Sequence, residues 1–213
     1  MNQLSSDLEL IAERIRESFS AQDAAREKAL PLCREVIRFS SITIRSIHRH
    51  EFDEAQQTLA QAGRLLREAE RHLTTCTALE NTRFILDAQK EYTEAHATLA
   101  LATGRPLPTP EEIRVDYAAY LNGLAEAASE LRRYLLDGLR GGDFHRGEEL
   151  LSAMDDIYSV LVTMDFPDSI TGGLRRTTDM LRGVMEKTRS DLTLSVQQNR
   201  LEDQLAEFGQ KLT

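Results

Sequence analysis

The feature that most constrains this chain is how rarely it carries a residue that ends a helix. Only 11 glycines and 5 prolines occur among its 213 residues. Between them lie long stretches rich in Ala, Leu, Glu, Arg and Gln, residues that favour helices over strands. With 41% hydrophobic residues the chain also has enough apolar material for a sizeable core. We therefore expect one all-α domain over residues 1–213, without a credible strand.

Apolar periodicity divides the chain into about seven helical segments, which would pack as a bundle. Pro31 lies inside the second segment, where a proline removes a helical hydrogen bond, so a kink or a break is expected there. A further break is considered near Asp191. The segments cover about residues 5–19, 23–49, 52–74, 78–102, 111–139, 147–164 and 174–208.

The clearest boundary in the sequence is a run of three prolines within five residues, Pro106, Pro108 and Pro110. Such a run ends the fourth segment, because proline cannot continue a helix. Thr109 and Glu112 flank the last of these prolines in the pattern of a capping box, with proline at the first helical position. The fifth segment is therefore predicted to begin here.

The net charge and the lack of targeting or membrane-spanning segments argue against several classes of protein. The formal net charge is −9, and this field as a whole should repel nucleic acid and anionic membranes. No apolar run approaches the roughly 20 residues that span a bilayer, and the N-terminus lacks the pattern of a signal peptide. Cys33 and Cys76 lack the spacing of a thiolate zinc site. A cytoplasmic protein with two reduced thiols and no membrane partner is expected.

Four arginines share one face of the second segment. This arginine stripe consists of Arg34, Arg38, Arg45 and Arg49. At about 100° per residue they fall within roughly 60° of one another, opposite a set of apolar residues. Guanidinium groups grip phosphates in bidentate fashion, so the stripe suits a nucleic-acid backbone. A solvated face paired with acids elsewhere is the alternative. His48 and His50, beside the stripe, are expected to be surface residues and not ligands.

Acidic residues share one face of the fourth segment. Asp87, Glu91 and Glu94 are spaced i, i+4 and i+7. Glu91 lies at the margin of the apolar stripe of this segment, so it is expected to be partly buried. Burying a carboxylate is costly unless a cation or a metal pairs with it. The alternative to a metal is a salt bridge to Lys90 or to an arginine of another helix.

The fifth segment carries small residues and two glutamates on one face. Ala119, Gly123 and Ala127 would let a neighbouring helix approach closely, leaving Glu126 and Glu130 facing it. If that neighbour is the fourth segment, the carboxylates converge in a hard-oxygen site for Mg²⁺ or Mn²⁺, which suits phosphodiester cleavage by a metal-activated water. Without that contact they are ordinary surface glutamates, and spacing leaves both possibilities open.

Several stretches resemble the translin family, and specifically its catalytic branch, translin-associated factor X. Residues 34–49 resemble the family's first long helix, and residues 116–132 resemble its Asp-Tyr-Leu-x-Gly segment. The most specific match is Lys90-Glu-Tyr-Thr-Glu-Ala95, which is similar to the branch's Gln-Glu-Tyr-Val-Glu-Ala. The likeness covers about residues 25–195.

The resemblance implies a translin-like seven-helix subunit that assembles into a hollow homo-oligomer of roughly six to eight copies and binds single-stranded RNA or DNA. Its catalytic branch is an Mg²⁺-dependent endoribonuclease. Glu91 and Glu94 match the two glutamates of the branch's Glu-Tyr-x-x-Glu segment, and Glu126 stands where the branch has an aspartate. Ala88 replaces a further acid of the branch, for which Asp87 is the candidate substitute.

The leading hypothesis is therefore a protein that binds single-stranded RNA, with single-stranded DNA as a second ligand, and cleaves RNA with Mg²⁺ or Mn²⁺. Glu91, Glu94 and Glu126 would be catalytic, Asp87 and Glu130 would be further metal ligands, and the arginine stripe would hold the strand. One alternative is a non-catalytic oligomer that binds single-stranded nucleic acid, and another is a helical scaffold with no nucleic-acid role. Because basic residues are concentrated on one face, the acidic total does not exclude nucleic acid.

Overall fold

A computed structural model of the chain describes residues 3–74, 76, 79 and 82–212. These residues form eight helices and no strand, so the predicted all-α class is confirmed. Two of the helices, α4 and α7, are single turns that the sequence interpretation did not separate. The helices are α1 (Gln3–His48), α2 (Phe52–Leu73), α3 (Arg83–Thr103), α4 (Pro110–Ile113), α5 (Tyr117–Arg140), α6 (Phe144–Leu161), α7 (Asp168–Thr171) and α8 (Leu174–Leu212).

Helix α1 runs without interruption from Gln3 to His48, so of the kink or break predicted at Pro31 the break is wrong, and the first two predicted segments are one helix. Pro31 is exposed, while Ala29, Cys33 and Val36 on either side of it are buried in the core. We attribute the continuity to this packing, which compensates for the hydrogen bond that proline cannot make. Helix α8 is likewise continuous through Asp191.

The helices enclose two apolar cores that meet at α3 and α5. Helices α1, α2 and α3 enclose the first core, and α5, α6 and α8 enclose the second. Tyr120 and Tyr134 of α5 pack against both. In α2 the buried residues recur every three or four positions, as an amphipathic helix requires: Ala55, Leu59, Ala62, Leu66, Ala69 and Leu73. The contact between α3 and α5 therefore joins the two halves of the chain.

The connection from α3 to α5 contains the predicted capping box, but the box starts a shorter helix than expected. The Thr109 side chain accepts a hydrogen bond from the Glu112 amide at 3.2 Å, and the Glu112 carboxylate accepts one from the Thr109 amide at 2.7 Å. The resulting α4 ends after one turn at Arg114, which has φ 54°. Asp116 then caps α5 by accepting from the Ala118 amide at 2.7 Å. The predicted helix start at residue 111 is wrong because this second cap follows.

The start predicted for the fourth segment, at residue 78, lies outside the described residues. The described helix in this region, α3, begins at Arg83 and ends at Gly104, which adopts the left-handed conformation with φ 66°. No helix within the described ranges is long and apolar enough to cross a membrane.

Candidate metal centre and cationic surface

Helices α3 and α5 approach each other closely at Gly123. A Cβ atom at this position would lie 2.5 Å from the Lys90 carbonyl oxygen and 2.7 Å from the Thr93 Cβ. Ala119 and Ala127, on the same face of α5, are buried. The small face of α5 therefore packs against α3, which is the neighbour that the carboxylate hypothesis required.

This contact brings three of the predicted carboxylates together. One oxygen from each of Glu91, Glu94 and Glu126 lies within 4.8 Å of the other two. We call these three residues the carboxylate cluster. The side chains of Glu91 and Glu126 are 27% and 31% exposed, which leaves them accessible from one side only. The partial burial that the sequence predicted for Glu91 is present.

The other two predicted ligands lie outside the carboxylate cluster. Asp87 is 49% exposed and its carboxylate is 3.6 Å from the Nε of Arg83. Glu130 accepts a hydrogen bond from His48 Nε2 at 3.3 Å, and this bond lowers the pKa of Glu130. Each of these two carboxylates has a partner outside the cluster, and their role as further metal ligands stays a prediction.

Burial and mutual repulsion raise the pKa of two cluster members. Burial, followed by the charges of Glu91, Glu126 and Glu130, raises the pKa of Glu94 to about 8, while the charge of Lys90 opposes this shift. Burial also raises the pKa of Glu91, and the charge of Lys90 lowers it. Without an added cation, Glu94 therefore retains a proton at neutral pH. A cation at the centre of the cluster would displace that proton.

Lys90 contributes an ammonium group to the edge of the carboxylate cluster. Its Nζ lies 2.7 Å from Glu126 Oε1 and 3.3 Å from Glu91 Oε1. Burial lowers the pKa of Lys90, but the hydrogen bond to Glu126 and the charges of Glu126 and Glu91 outweigh this effect and raise it. The salt bridge that the sequence offered as the alternative to a metal is thus present.

The donor set of the cluster fits a hard divalent cation. Mg²⁺ prefers carboxylate oxygens at about 2.1 Å in an octahedron, where neighbouring ligands are about 3 Å apart and opposite ligands about 4 Å apart. The three oxygens lie within 4.8 Å of one another, and rotation of the glutamate side chains can bring them to this spacing. Glu91, Glu94 and Glu126 could therefore hold Mg²⁺ or Mn²⁺ without a change in the backbone.

The structure contradicts the surface location expected for His48. Its side chain is 3% exposed and lies against α5, where it contacts Glu130 and the ring of Tyr134. His48 follows the last buried apolar residue of α1, Ile47, so the end of the helix faces the core. His50 is exposed as expected and has φ 60°, after the helix has ended.

All four members of the arginine stripe are exposed; the first three lie on α1, and Arg49 lies in the turn directly after it. Val36, Ile44 and Ile47 on the opposite side of the helix are buried, so the predicted division of the two faces is present. Within the described residues, the ion pairs of the stripe are local: Arg38 with Glu35 at 2.6 Å and Arg49 with Glu51 at 3.0 Å. The stripe therefore remains available to a ligand from outside the chain.

A pocket of about 490 Å³ opens beside the carboxylate cluster, between α3, α5 and the start of α8. Lys90 and Glu126 line both the cluster and this pocket. Arg83, Asn122 and Arg176 also line it, together with acidic residues and several small or apolar ones. The sequence interpretation missed these three residues. The signal that could have found Arg176 is the pair Arg175-Arg176 at the start of a helix, one residue after Gly172-Gly173.

Comparison with known proteins identifies relatives of similar length. No protein-family model matches the chain. An uncharacterized protein of Methanocaldococcus jannaschii is 27% identical over 186 residues, which are 86% of this chain and 82% of that protein. Two solved structures of AfC3PO, the first in complex with duplex RNA, are each 36% identical to the chain. Both matches cover 86% of this chain. They cover 95% and 96% of the AfC3PO chains, with TM-scores of 0.76 and 0.74, respectively. The structure of apo-NeC3PO shares the fold, with 18% identity, coverage of 86% and 96%, and a TM-score of 0.76.

Proposed function

The chain belongs to the translin family, in which the AfC3PO structures share its fold at 36% identity, and on that premise we propose that it is an RNA-binding, metal-dependent endoribonuclease. The observation that carries the proposal is the convergence of three glutamate oxygens from α3 and α5 within 4.8 Å. Glu91 and Glu94 stand at the glutamate positions of the catalytic branch that the sequence resembles. The complex of AfC3PO with duplex RNA supports RNA as the class of ligand.

The carboxylate cluster would hold Mg²⁺ or Mn²⁺ through Glu91, Glu94 and Glu126. Such an ion, when bound, lowers the pKa of a coordinated water and neutralises charge on the reacting phosphate. Gly123 keeps α3 and α5 close enough for the three side chains to share one ligand. The burial that raises the pKa of Glu94 also strengthens the attraction of the cluster for a divalent cation.

The arginine stripe would hold the strand. Its exposed guanidinium groups extend along α1 and the turn after it, at intervals of about one or two helical turns, a spacing that suits successive phosphates. Phosphate-led binding of this kind weakens steeply with salt. Single-stranded RNA is the proposed substrate, and single-stranded DNA is a second ligand for the same surface.

A hollow homo-oligomer of roughly six to eight subunits would reconcile the net charge of −9 with an anionic ligand. In such an assembly the arginine stripe and the carboxylate cluster face the interior, while acidic residues keep the outside soluble. Light scattering on the purified protein tests this part of the proposal. A monomer would contradict it, because one acidic subunit offers only a single open face to the strand.

The deciding experiment measures cleavage and binding of labelled single-stranded and duplex RNA in Mg²⁺ and in EDTA. The wild type should cleave only in Mg²⁺, and the double variant Glu91→Ala/Glu94→Ala should bind RNA with similar affinity without cleaving it. Glu148→Ala, an exposed carboxylate on α6, is the matched control and should cleave normally. Cleavage by the double variant at the wild-type rate would refute the catalytic assignment.

The main alternative is an oligomer that binds nucleic acid without cleaving it. The ion pairs of Lys90 with Glu126 and Glu91 favour this alternative, since they compensate part of the cluster's charge without a metal. Salt-sensitive binding without cleavage would establish it. A protein that does not bind RNA at any ionic strength would instead be a helical scaffold.

A further inference from the structure

Lys90 is the one place where the matching segment changes the charge of the metal site. The catalytic branch has Gln at this position of the Gln-Glu-Tyr-Val-Glu-Ala segment, whereas this chain has Lys90. The side chain is 25% exposed, and its ammonium group contacts two of the three residues of the carboxylate cluster. A neutral amide is thus replaced by a cation at the proposed metal centre.

We infer that Lys90 is a built-in counter-cation of the carboxylate cluster, which a divalent ion must displace before it can bind. The inference rests on the proposed function. Glu126 Oε1 is already 2.7 Å from the Lys90 Nζ, so the same oxygen cannot coordinate a metal while it keeps that contact at full strength. Two cations that share one carboxylate also repel each other. Lys90 is therefore a positioning residue that sets how tightly the metal binds.

The neighbouring pocket provides the space that this displacement needs. Lys90 lines the pocket of about 490 Å³ as well as the cluster, so rotation of its flexible side chain moves the ammonium group from one to the other. Arg83 and Arg176 line the same pocket, and so do the carboxylates of Asp87 and Asp168. A displaced Lys90 ammonium group would be stabilised there by these carboxylates.

The test is calorimetric titration of Mn²⁺ into the full-length protein without RNA. Lys90→Met should bind Mn²⁺ about tenfold more tightly than the wild type, because the competing charge is gone. Lys90→Gln, which restores the residue of the catalytic branch, should do the same and keeps a hydrogen-bond donor for Glu126. Lys187→Met, an exposed lysine on α8, is the control for loss of one positive charge and should leave the affinity within about twofold.

Thermal unfolding supplies a second measurement that a purely structural lysine would not reproduce. In EDTA, Lys90→Met should melt several degrees below the wild type, and saturating Mn²⁺ should raise its melting temperature by more than that of the wild type. Wild-type Mn²⁺ affinity in both Lys90 variants would overturn this inference and leave the proposed function intact. If neither the wild type nor any of the variants binds Mn²⁺, both this inference and the metal centre of the proposed function are wrong.

Discussion

The arginine stripe and the carboxylate cluster follow from the same kind of helical spacing, yet they are built differently. The stripe lies on α1 and the turn directly after it, its side chains are exposed, and its ion pairs join neighbours in sequence. The cluster takes residues from two helices, is half-buried, and exists only because α3 and α5 meet at Gly123. Spacing is sufficient to describe a surface on one helix. A buried site additionally depends on which helices touch.

Burial also gives the two regions different electrostatics. In the stripe, the exposed pair of Arg38 and Glu35 shifts each partner toward its charged form, mainly through their hydrogen bond: the pKa of Arg38 is raised and the pKa of Glu35 is lowered. In the cluster, burial favours the neutral form and raises the pKa of Glu94 to about 8. The stripe thus carries a permanent positive charge that salt screens. The cluster carries its full negative charge only when a bound cation displaces the proton of Glu94.

The largest expected effect comes from separating α3 from α5. In Gly123→Ala the added Cβ would meet the Lys90 carbonyl oxygen at 2.5 Å, so the helices must move apart and the carboxylate cluster must open. We expect the free energy of unfolding to fall by about 2–3 kcal/mol and the affinity for Mn²⁺ to be lost. Denaturant unfolding and calorimetry measure the two effects.

Gly138→Ala is the matched control for this prediction, because it lies on the same helix with nothing within 4 Å of its added Cβ. Removing this glycine should stabilise the protein by about 0.5–1 kcal/mol through helix propensity. Equal stability of Gly123→Ala and the wild type would show that the cluster does not depend on the close helix contact.

An intermediate effect is expected from substitutions in the arginine stripe. They should change the salt dependence of RNA binding, which substitutions in the cluster should not. Arg34→Gln/Arg45→Gln should weaken RNA binding about tenfold at low salt and reduce the slope of log affinity against log salt by about 1–2. Mn²⁺ affinity should stay unchanged. Arg26→Gln, an exposed arginine of α1 that lies off the stripe, is the control for a lost charge. An unaltered salt slope in the double variant would exclude the stripe from the RNA-binding surface.

The smallest effect is a pH dependence of stability that belongs to the cluster alone. In EDTA the unfolded chain releases the Glu94 proton near pH 4.5, whereas the folded protein retains it to about pH 8. The stabilisation is therefore fully present below about pH 4.5 and is lost as the pH rises through about 8. Glu94→Gln should flatten this slope in denaturant unfolding, and Arg34→Gln should leave it unchanged. If the stability of Glu94→Gln depended on pH as steeply as that of the wild type, the pH dependence would belong to another group.

Local sequence signals predicted local structure well, and their errors have tertiary causes. The capping box of Thr109 and Glu112 is present, but Asp116 caps a second helix only a few residues later. Pro31 carries the local signal of a break, and the buried residues around it keep α1 intact. Histidine is a residue type that often lies at the surface, yet His48 is buried because the end of α1 lies against α5.

The sequence by itself determined the helical class, the faces of the helices, the arginine stripe and the glutamates available for a metal. Each of these depends on residues within a few turns of one another, where helix geometry fixes direction. The tertiary structure decided that Glu126 joins Glu91 and Glu94, that Asp87 and Glu130 take other partners, and that Lys90 enters the cluster. The contacts of Glu126 with Glu91, Glu94 and Lys90 join atoms distant in sequence, so the packing of α3 against α5 specifies them. The contact of Glu130 with His48 likewise depends on where the end of α1 meets α5, whereas the pair of Asp87 with Arg83 lies within α3.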